Sequence, residues 1–220
     1  MRPEDNYERI LEKPQLQGLD SVSVHTNKSF VGGRMNIDIN NLNNEFYPTR
    51  GVEWNNQLVY LQNMHNNNSP LLRLQSDMTV YASLAGPGRL LAILRLGGGH
   101  IFTDNFEYFQ ALNLGANNFL RGFRKNRFAG SSLAYGSIEL RYKLFNVRST
   151  VLPGSFGIVG FDDIGRVWMK NEVSNKWHNA VGGGVYFLPF DLVSIAATIA
   201  ASEEESLFNF SVGAKLSFYF

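Results

Sequence analysis

The chain has 220 residues, with 20 Lys+Arg against 19 Asp+Glu for a formal net charge of +1, and 0 Cys. The lack of cysteine excludes disulfide scaffolds, thiolate metal sites and cysteine nucleophiles, and the balanced charge supplies no field for nucleic acid. Charged residues are only 18%, whereas 21 Gly, 17 Phe and 9 Tyr suit a β protein with turns and aromatic girdles.

Residues 1–28 are polar, with Glu4, Asp5, Glu8, Glu12, Pro3 and Pro14. They read as an arm or linker with one short helical turn around Tyr7–Glu12; a disordered terminus is the alternative. The opening residues Met1–Asn6 lack the apolar core of a secretory signal. No window approaches the roughly 18 consecutive apolar residues of a membrane helix. The remaining way to cross a membrane is a closed β-barrel.

From residue 30 the period is two. The pattern predicts strands at 30–40, 52–63, 71–84, 88–101, 133–145, 155–169, 179–188, 192–202 and 207–219. In the third, Leu72, Leu74, Met78, Val80, Ala82 and Leu84 share one face, and Arg73, Gln75, Asp77 and Thr79 the other. In the last, Phe208, Phe210, Val212, Ala214, Leu216, Phe218 and Phe220 alternate with Asn209, Ser211, Gly213, Lys215, Ser217 and Tyr219. Globular strands average about 5–6 residues and membrane strands about 9–11. These runs are of the longer kind.

Connections alternate between tight turns (Ala85–Gly88, Leu188–Asp191) and longer polar loops (63–70, 101–132, 170–178, 201–206). Short periplasmic turns facing long outer loops are the outer-membrane pattern. The expected fold is therefore all-β: a transmembrane antiparallel β-barrel of about eight strands per chain over residues 29–220, with a long inward-folded loop. Counting from 52–63 gives eight strands. Including 30–40 gives nine, so either that segment does not span or the chain is part of a larger barrel.

The 101–132 connection is long enough to be functional. It contains Asn118-Phe119-Leu120-Arg121-Gly122-Phe123-Arg124, which resembles the (V/L)-R-G-(F/Y) loop motif of the BamA/TamA superfamily of outer-membrane assembly and translocation barrels. Three further segments resemble that family in the same order. Phe46-Tyr47-Pro48-Thr49-Arg50-Gly51 is similar to its F-x-P-T-R-G turn, and Phe161-Asp162-Asp163-Ile164-Gly165-Arg166-Val167-Trp168 to its F-x-D-x-G-x-V-W strand. Lys215–Phe220, with Phe218 and Phe220, resembles the aromatic C-terminal targeting signal of outer-membrane barrels.

An arginine in a loop tucked into a barrel needs acceptors, because a buried unpaired cation is costly. On strand 133–145, Leu133, Tyr135, Ser137, Glu139, Arg141 and Lys143 share a face that must look into the lumen. Arg121 is therefore expected to bridge Glu139 and Asp163 and so clasp the loop to the wall. Gly122 would allow close approach, and Phe123 would pack beside Phe161, in the strand that Gly165 continues. Alternation puts Asp162 outward, near an interface or beside a bulge.

Other constellations weaken on inspection. Gly97-Gly98-Gly99-His100 and Gly182-Gly183-Gly184 lack the sequel of phosphate loops and read as sites of curvature or close approach. His25, His65, His100 and His178 have no metal-ligand spacing, so no metal is expected, and no Ser-His-Asp set is placed by sequence. Arg124, Lys125 and Arg127 read as a solvated cluster, and Glu203-Glu204-Glu205 as an exposed loop tip.

The resemblance implies a protein of the outer membrane of Gram-negative bacteria that inserts or translocates other proteins, with no catalytic residue and no cofactor. Its partners would be outer-membrane lipid and unfolded outer-membrane proteins as clients, with no nucleic acid. Family barrels have sixteen strands and periplasmic polypeptide-transport modules, and residues 1–28 are too short for such a module. The expectation is a short form lacking those modules, in which a homodimer joins its end strands to make room for the long loop. A structural anchor, or a C-terminal barrel fragment of a larger insertase or enzyme-barrel fusion, is the alternative.

Overall fold

The computed structural model describes residues 29–64, 70–104, 106–116, 119–169 and 176–213. The expectations for the arm at 1–28, for Phe218 and Phe220, and for the last part of the final strand lie outside these residues.

Nine strands form one antiparallel sheet. In chain order they begin with β1 (Phe30–Leu42), β2 (Gly51–Asn63) and β3 (Leu71–Ala85). A helical turn α1 (Gly86–Arg89) leads into β4 (Leu90–Ile101). Two three-residue strands, β5 (Leu112–Leu114) and β6 (Phe128–Gly130), lie inside the long connection and pair only with each other. The sheet resumes with β7 (Ser132–Val147), β8 (Gly154–Trp168), β9 (His178–Pro189), β10 (Ser194–Ser202) and β11 (Ser206–Gly213). Spatial order is β1-β2-β3-β4-β7-β8-β9-β10-β11.

The segment at 30–40 is thus a full member of the sheet. Its pairing with β2 runs unbroken from Phe30↔Asn63 to Leu42↔Gly51. The count is nine where about eight was expected, and β1 and β11 remain the two edges among the described residues.

Several strands separate their faces by residue type, in the inverse sense to a soluble sheet. Outward positions are large and apolar: Ile37 and Ile39 on β1, Trp54 and Leu58 on β2, Leu94 and Leu96 on β4, Ile138 and Leu140 on β7, Phe208 and Phe210 on β11 are all exposed. Inward positions carry Asn36, Gln57, Asp77, Arg95, Glu139, Asp163 and Asn209, brought side by side by the register. Asp162 is exposed on the outward face, with Asn179 Nδ2 donating to it at 2.5 Å. No bulge accompanies it, since β8 keeps register on both sides there; the shifts lie near the turn end, at Ser83/Ala85 and Lys143/Phe145.

The core lies on the inner face. At the loop end, Leu112, Leu114, Leu120 and Phe123 of the long connection pack on Leu71, Ile101, Leu133, Tyr135 and Ala180. Nearer the turn end, Val159, Phe161, Tyr186, Leu188 and Ala200 form a second cluster, against which Tyr47 packs. Tyr47 gets there because the 43–50 turn folds inward. Asn43 Oδ1 accepts the N–H groups of Thr49 and Arg50, and Asn44 Oδ1 those of Phe46 and Tyr47. Asparagine side chains thus replace the ladder that the turn interrupts.

The β9–β10 turn places Phe190 and Asp191 both in the left-handed region, at φ 55 and 57. A two-residue turn of that hand matches sheet twist, yet phenylalanine is a poor occupant. Phe190→Asn is expected to raise stability by about 1 kcal/mol, read as a shifted urea midpoint in lipid vesicles.

Candidate functional site

The long connection crosses the inner face as a plug. At Phe119 the backbone turns left-handed, with φ 73, and delivers Arg121 to the wall. The Arg121 side chain forks onto one carboxylate: Nε donates to Asp163 Oδ2 at 2.8 Å and Nη2 to Asp163 Oδ1 at 2.7 Å. Its backbone N–H adds a third bond to Oδ2 at 3.1 Å. Nη1 pairs with Glu139, which also receives Arg141 Nε at 2.6 Å. Asp163 is fully buried at 0% exposure, so its charge depends on these donors.

Ser137 completes the clasp. Register sets it opposite Asp163, and its hydroxyl donates to Asp163 Oδ1 at 2.7 Å while Arg121 Nη2 reaches its oxygen at 3.2 Å. The guanidinium carbon lies 3.4 Å from the centroid of the Phe161 ring. That ring lies flat because its cross-strand neighbour is Gly182, where a Cβ would overlap it. Wall glycine, aromatic ring and guanidinium stack in three layers. The same device recurs where the Tyr135 ring covers Gly97, its hydroxyl hydrogen-bonded to Asp77.

Arg121, Glu139, Phe161 and Asp163 therefore meet as the sequence implied. Gly122 is buried in close approach, since a Cβ there would come within 2.6 Å of the Ala180 Cβ. Gly165 leaves space for Leu120 and Leu114 of the plug. Phe123 departs from expectation. It packs in the loop-end cluster on Phe128 and His178, at centroid distances of 5.2 and 5.7 Å, while Phe161 belongs to the other cluster and holds Arg121. Phe161 is instead covered by the Arg121 guanidinium, which leaves no place beside it for Phe123.

The acidic loop tip is engaged. Arg124 Nε meets Glu205 at 2.8 Å, Arg127 Nε meets Glu204 at 2.7 Å, and Lys176 and His178 both reach Glu203, at 2.7 and 3.1 Å. Asn209 Nδ2 donates to the Arg121 carbonyl at 3.0 Å. The plug is thus fastened to the β10–β11 hairpin at its rim as well as to β7 and β8 inside. Nothing local in the sequence signals pairs this far apart, whereas Ser137 was legible from the parity of β7.

Hydrogen bonds from Lys176 first and His178 second hold the Glu203 carboxyl below the usual range. A depressed carboxylate contributes stability above its unfolded pKa and loses it as pH falls through the folded value. The contacts of Glu203 with Lys176 and His178 should therefore persist at neutral pH and be lost only as pH falls below the ordinary carboxylate range. Emission from Trp177, kept as the sole tryptophan, should report an acid transition that Glu203→Gln abolishes.

His100 Nδ1 meets Ser132 Oγ at 2.7 Å as a cross-strand pair at the exposed loop end. No carboxylate hydrogen-bonds that ring among the described residues, so the pair lacks the third member that orients a catalytic histidine. His25 and His65 lie outside the described residues.

The Omp85 superfamily domain matches residues 4–219, whereas no curated protein matches the chain. Among solved structures, the fold is similar to the crystal structure of BamA from Haemophilus ducreyi lacking POTRA domains 1-3, with a TM-score of 0.62 and 14% identity. The likeness covers 82% of this chain and 42% of that one, so the chain spans about two fifths of its length. The domain match over nearly the whole chain agrees with the motifs at Phe46–Gly51, Arg121–Phe123 and Phe161–Trp168. The chain belongs to the Omp85 superfamily.

Proposed function

We propose that this chain works as membrane-embedded β-barrel wall in the bacterial outer membrane, in the insertion or translocation of other outer-membrane proteins. The observation that carries the reading is the plug clasped by Arg121 and Asp163 inside a sheet whose outer face is apolar. A structural anchor needs the apolar face but has no use for a charged clasp with a buried carboxylate, which is a costly arrangement for stability alone. The action is mechanical and electrostatic, without hydrolysis or a cofactor. Unfolded outer-membrane proteins are the clients, recognised through strand addition.

Two measurements test this. Spin labels at Phe208, Phe210 and Val212 should be accessible to a lipid-soluble quencher, and labels at Asn209 and Ser211 should not. Uniform accessibility would remove the membrane reading. Purified chain in phospholipid vesicles should accelerate the folding of an added outer-membrane protein, and Arg121→Ala should lose that acceleration. Normal acceleration by a folded Arg121→Ala variant would leave the clasp as architecture, and no acceleration by the parent chain would favour the anchor.

A further inference from the structure

The inner face carries a second cationic group, away from the clasp. On β1, β2 and β3 the register aligns Arg34 with Val59 and Val59 with Arg73, all three facing inward. Arg34 is exposed on the edge strand and Arg73 is half-buried, and the two like charges act on each other. Val59 between them is buried. The adjoining inward rows supply no counter-charge. Towards the loop end stand Gly32, Leu61 and Leu71, and towards the turn end the neutral amides Asn36, Gln57 and Gln75. The nearest inward carboxylates on these strands, Asp38 and Asp77, are two rows away, about 13 Å along the strand direction.

The plug covers this row without bringing an acid to it. Its 108–110 turn sets Gln110 against Arg73, whose Nη1 donates to the Gln110 carbonyl at 3.4 Å. Arg73 Nε is inaccessible, and no described residue accepts from it. Gln110 is only 5% exposed. Its Oε1 accepts the Glu107 N–H at 2.9 Å, whereas its Nε2 has no acceptor among the described residues. Both unmet groups are donors, and both are buried where an unmet donor is costly.

The rest of the plug and its wall follow a different rule. Arg121, Arg124, Arg127 and Arg141 each meet a carboxylate. Neither Arg34 nor Arg73 has such a partner among the described residues. Water satisfies a donor but brings no charge, so it leaves two guanidinium groups uncompensated beside a buried amide. An anion meets both needs.

We propose that Arg34, Arg73 and Gln110 form a binding site for a phosphate group, either inorganic phosphate or the phosphomonoester of a lipid headgroup. The two arginines stand on strands two spacings apart, roughly 9.6 Å, so the ligand must offer oxygens in opposite directions. A carboxylate presents both oxygens to one side. Tetrahedral phosphate presents them all round, suits the guanidinium fork, and carries about −1.5 to −2 charge at neutral pH, enough to offset two arginines. The exposed edge position of Arg34 gives a dissolved ion or a headgroup access. The bound group ties β1 and β3 to the plug from outside the chain, as Asp163 ties β8 to it from within. The site stands on register and donors alone, independently of any role in insertion or translocation.

In a nonionic, phosphate-free detergent, calorimetric titration of the full chain with inorganic phosphate should show one saturable site. Arg34→Gln and Arg73→Gln should each weaken it by about tenfold or more, and Gln110→Leu by about threefold. Arg148→Gln removes the same charge from an exposed turn at the other end of the sheet, and should change affinity by less than about twofold. Heat-modifiable gel mobility identifies the folded variants. Because Arg34 is exposed, its variant carries the test even where Arg73→Gln does not fold. Two lipids then separate the sources. Displacement of phosphate by phosphatidic acid, and not by phosphatidylglycerol at equal mole fraction, assigns the site to a lipid phosphomonoester. Binding that neither lipid displaces assigns it to the free ion.

No saturable binding by the folded parent, unchanged affinity in folded Arg34→Gln, or an equal loss in Arg148→Gln would overturn the proposal. Equal displacement by both lipids would do the same, as the mark of unspecific charge attraction. So would binding that emerges only after Glu4, Asp5, Glu8, Glu12 and Asp20 are changed to their amides, since an acid of the chain itself would then hold the arginines.

Discussion

Replacing Arg121 by Ala is expected to lower the unfolding free energy by about 3–5 kcal/mol, the range for removing one partner of a buried ion pair. The loss falls mainly on Asp163. Glu139 keeps Arg141 at 2.6 Å, whereas Asp163, at 0% exposure, is left with the Ser137 hydroxyl and one backbone N–H. A cycle pairing Arg121→Ala with Asp163→Asn should therefore show large coupling, and one pairing it with Glu139→Gln much less. Arg121→Lys keeps the charge but loses the two-pronged geometry, so it should recover only part of the loss. Heat-modifiable gel mobility and urea unfolding in vesicles supply the free energies. Coupling to Asp163 near zero, with the plug still ordered, would mean the carboxylate is stabilised by other donors.

The wall was legible in the sequence because period two is a direct image of a two-sided strand. The predicted 52–63, 133–145 and 155–169 correspond to Gly51–Asn63, Ser132–Val147 and Gly154–Trp168. Parity along β7 and β8 put Ser137, Glu139 and Asp163 on one face, and the register then placed Ser137 opposite Asp163. Inside the plug that logic fails. β5 and β6 are three residues each, too short to show a period, and Phe119 at φ 73 resets which way the following side chains point. Phe123, placed beside Phe161 from the sequence, packs instead on Phe128 and His178. The rim pairs escaped for a different reason. Arg127 and Glu204 are 77 positions apart, and only the closing of the plug onto β10–β11 makes them neighbours. The ninth strand was visible as a pattern, but its membership in the sheet is a matter of pairing, which a single strand's pattern does not record.

The same register yields a test of the layered stack beneath Arg121. Gly182 and Gly160 both lie in wall strands, Gly182 facing in beneath the Phe161 ring and Gly160 facing out with no atom near its missing Cβ. Gly182→Ala should cost about 1–3 kcal/mol, because the new carbon meets the Phe161 ring and also the Ile199 carbonyl, which cannot swing aside. Gly160→Ala should stay within about 0.5 kcal/mol of the parent. Phe161 tilted off the wall no longer supports the guanidinium that sits 3.4 Å above it, so Gly182→Ala also loosens Arg121. The two losses then overlap, and Gly182→Ala with Arg121→Ala should fall short of the summed single effects by about 1 kcal/mol. Hydrogen exchange at Leu120–Phe123 should rise in Gly182→Ala and stay unchanged in Gly160→Ala. Equal costs for the two glycines, with strict additivity to Arg121→Ala, would mean that Phe161 finds another place on the wall and that Asp163 alone seats the arginine.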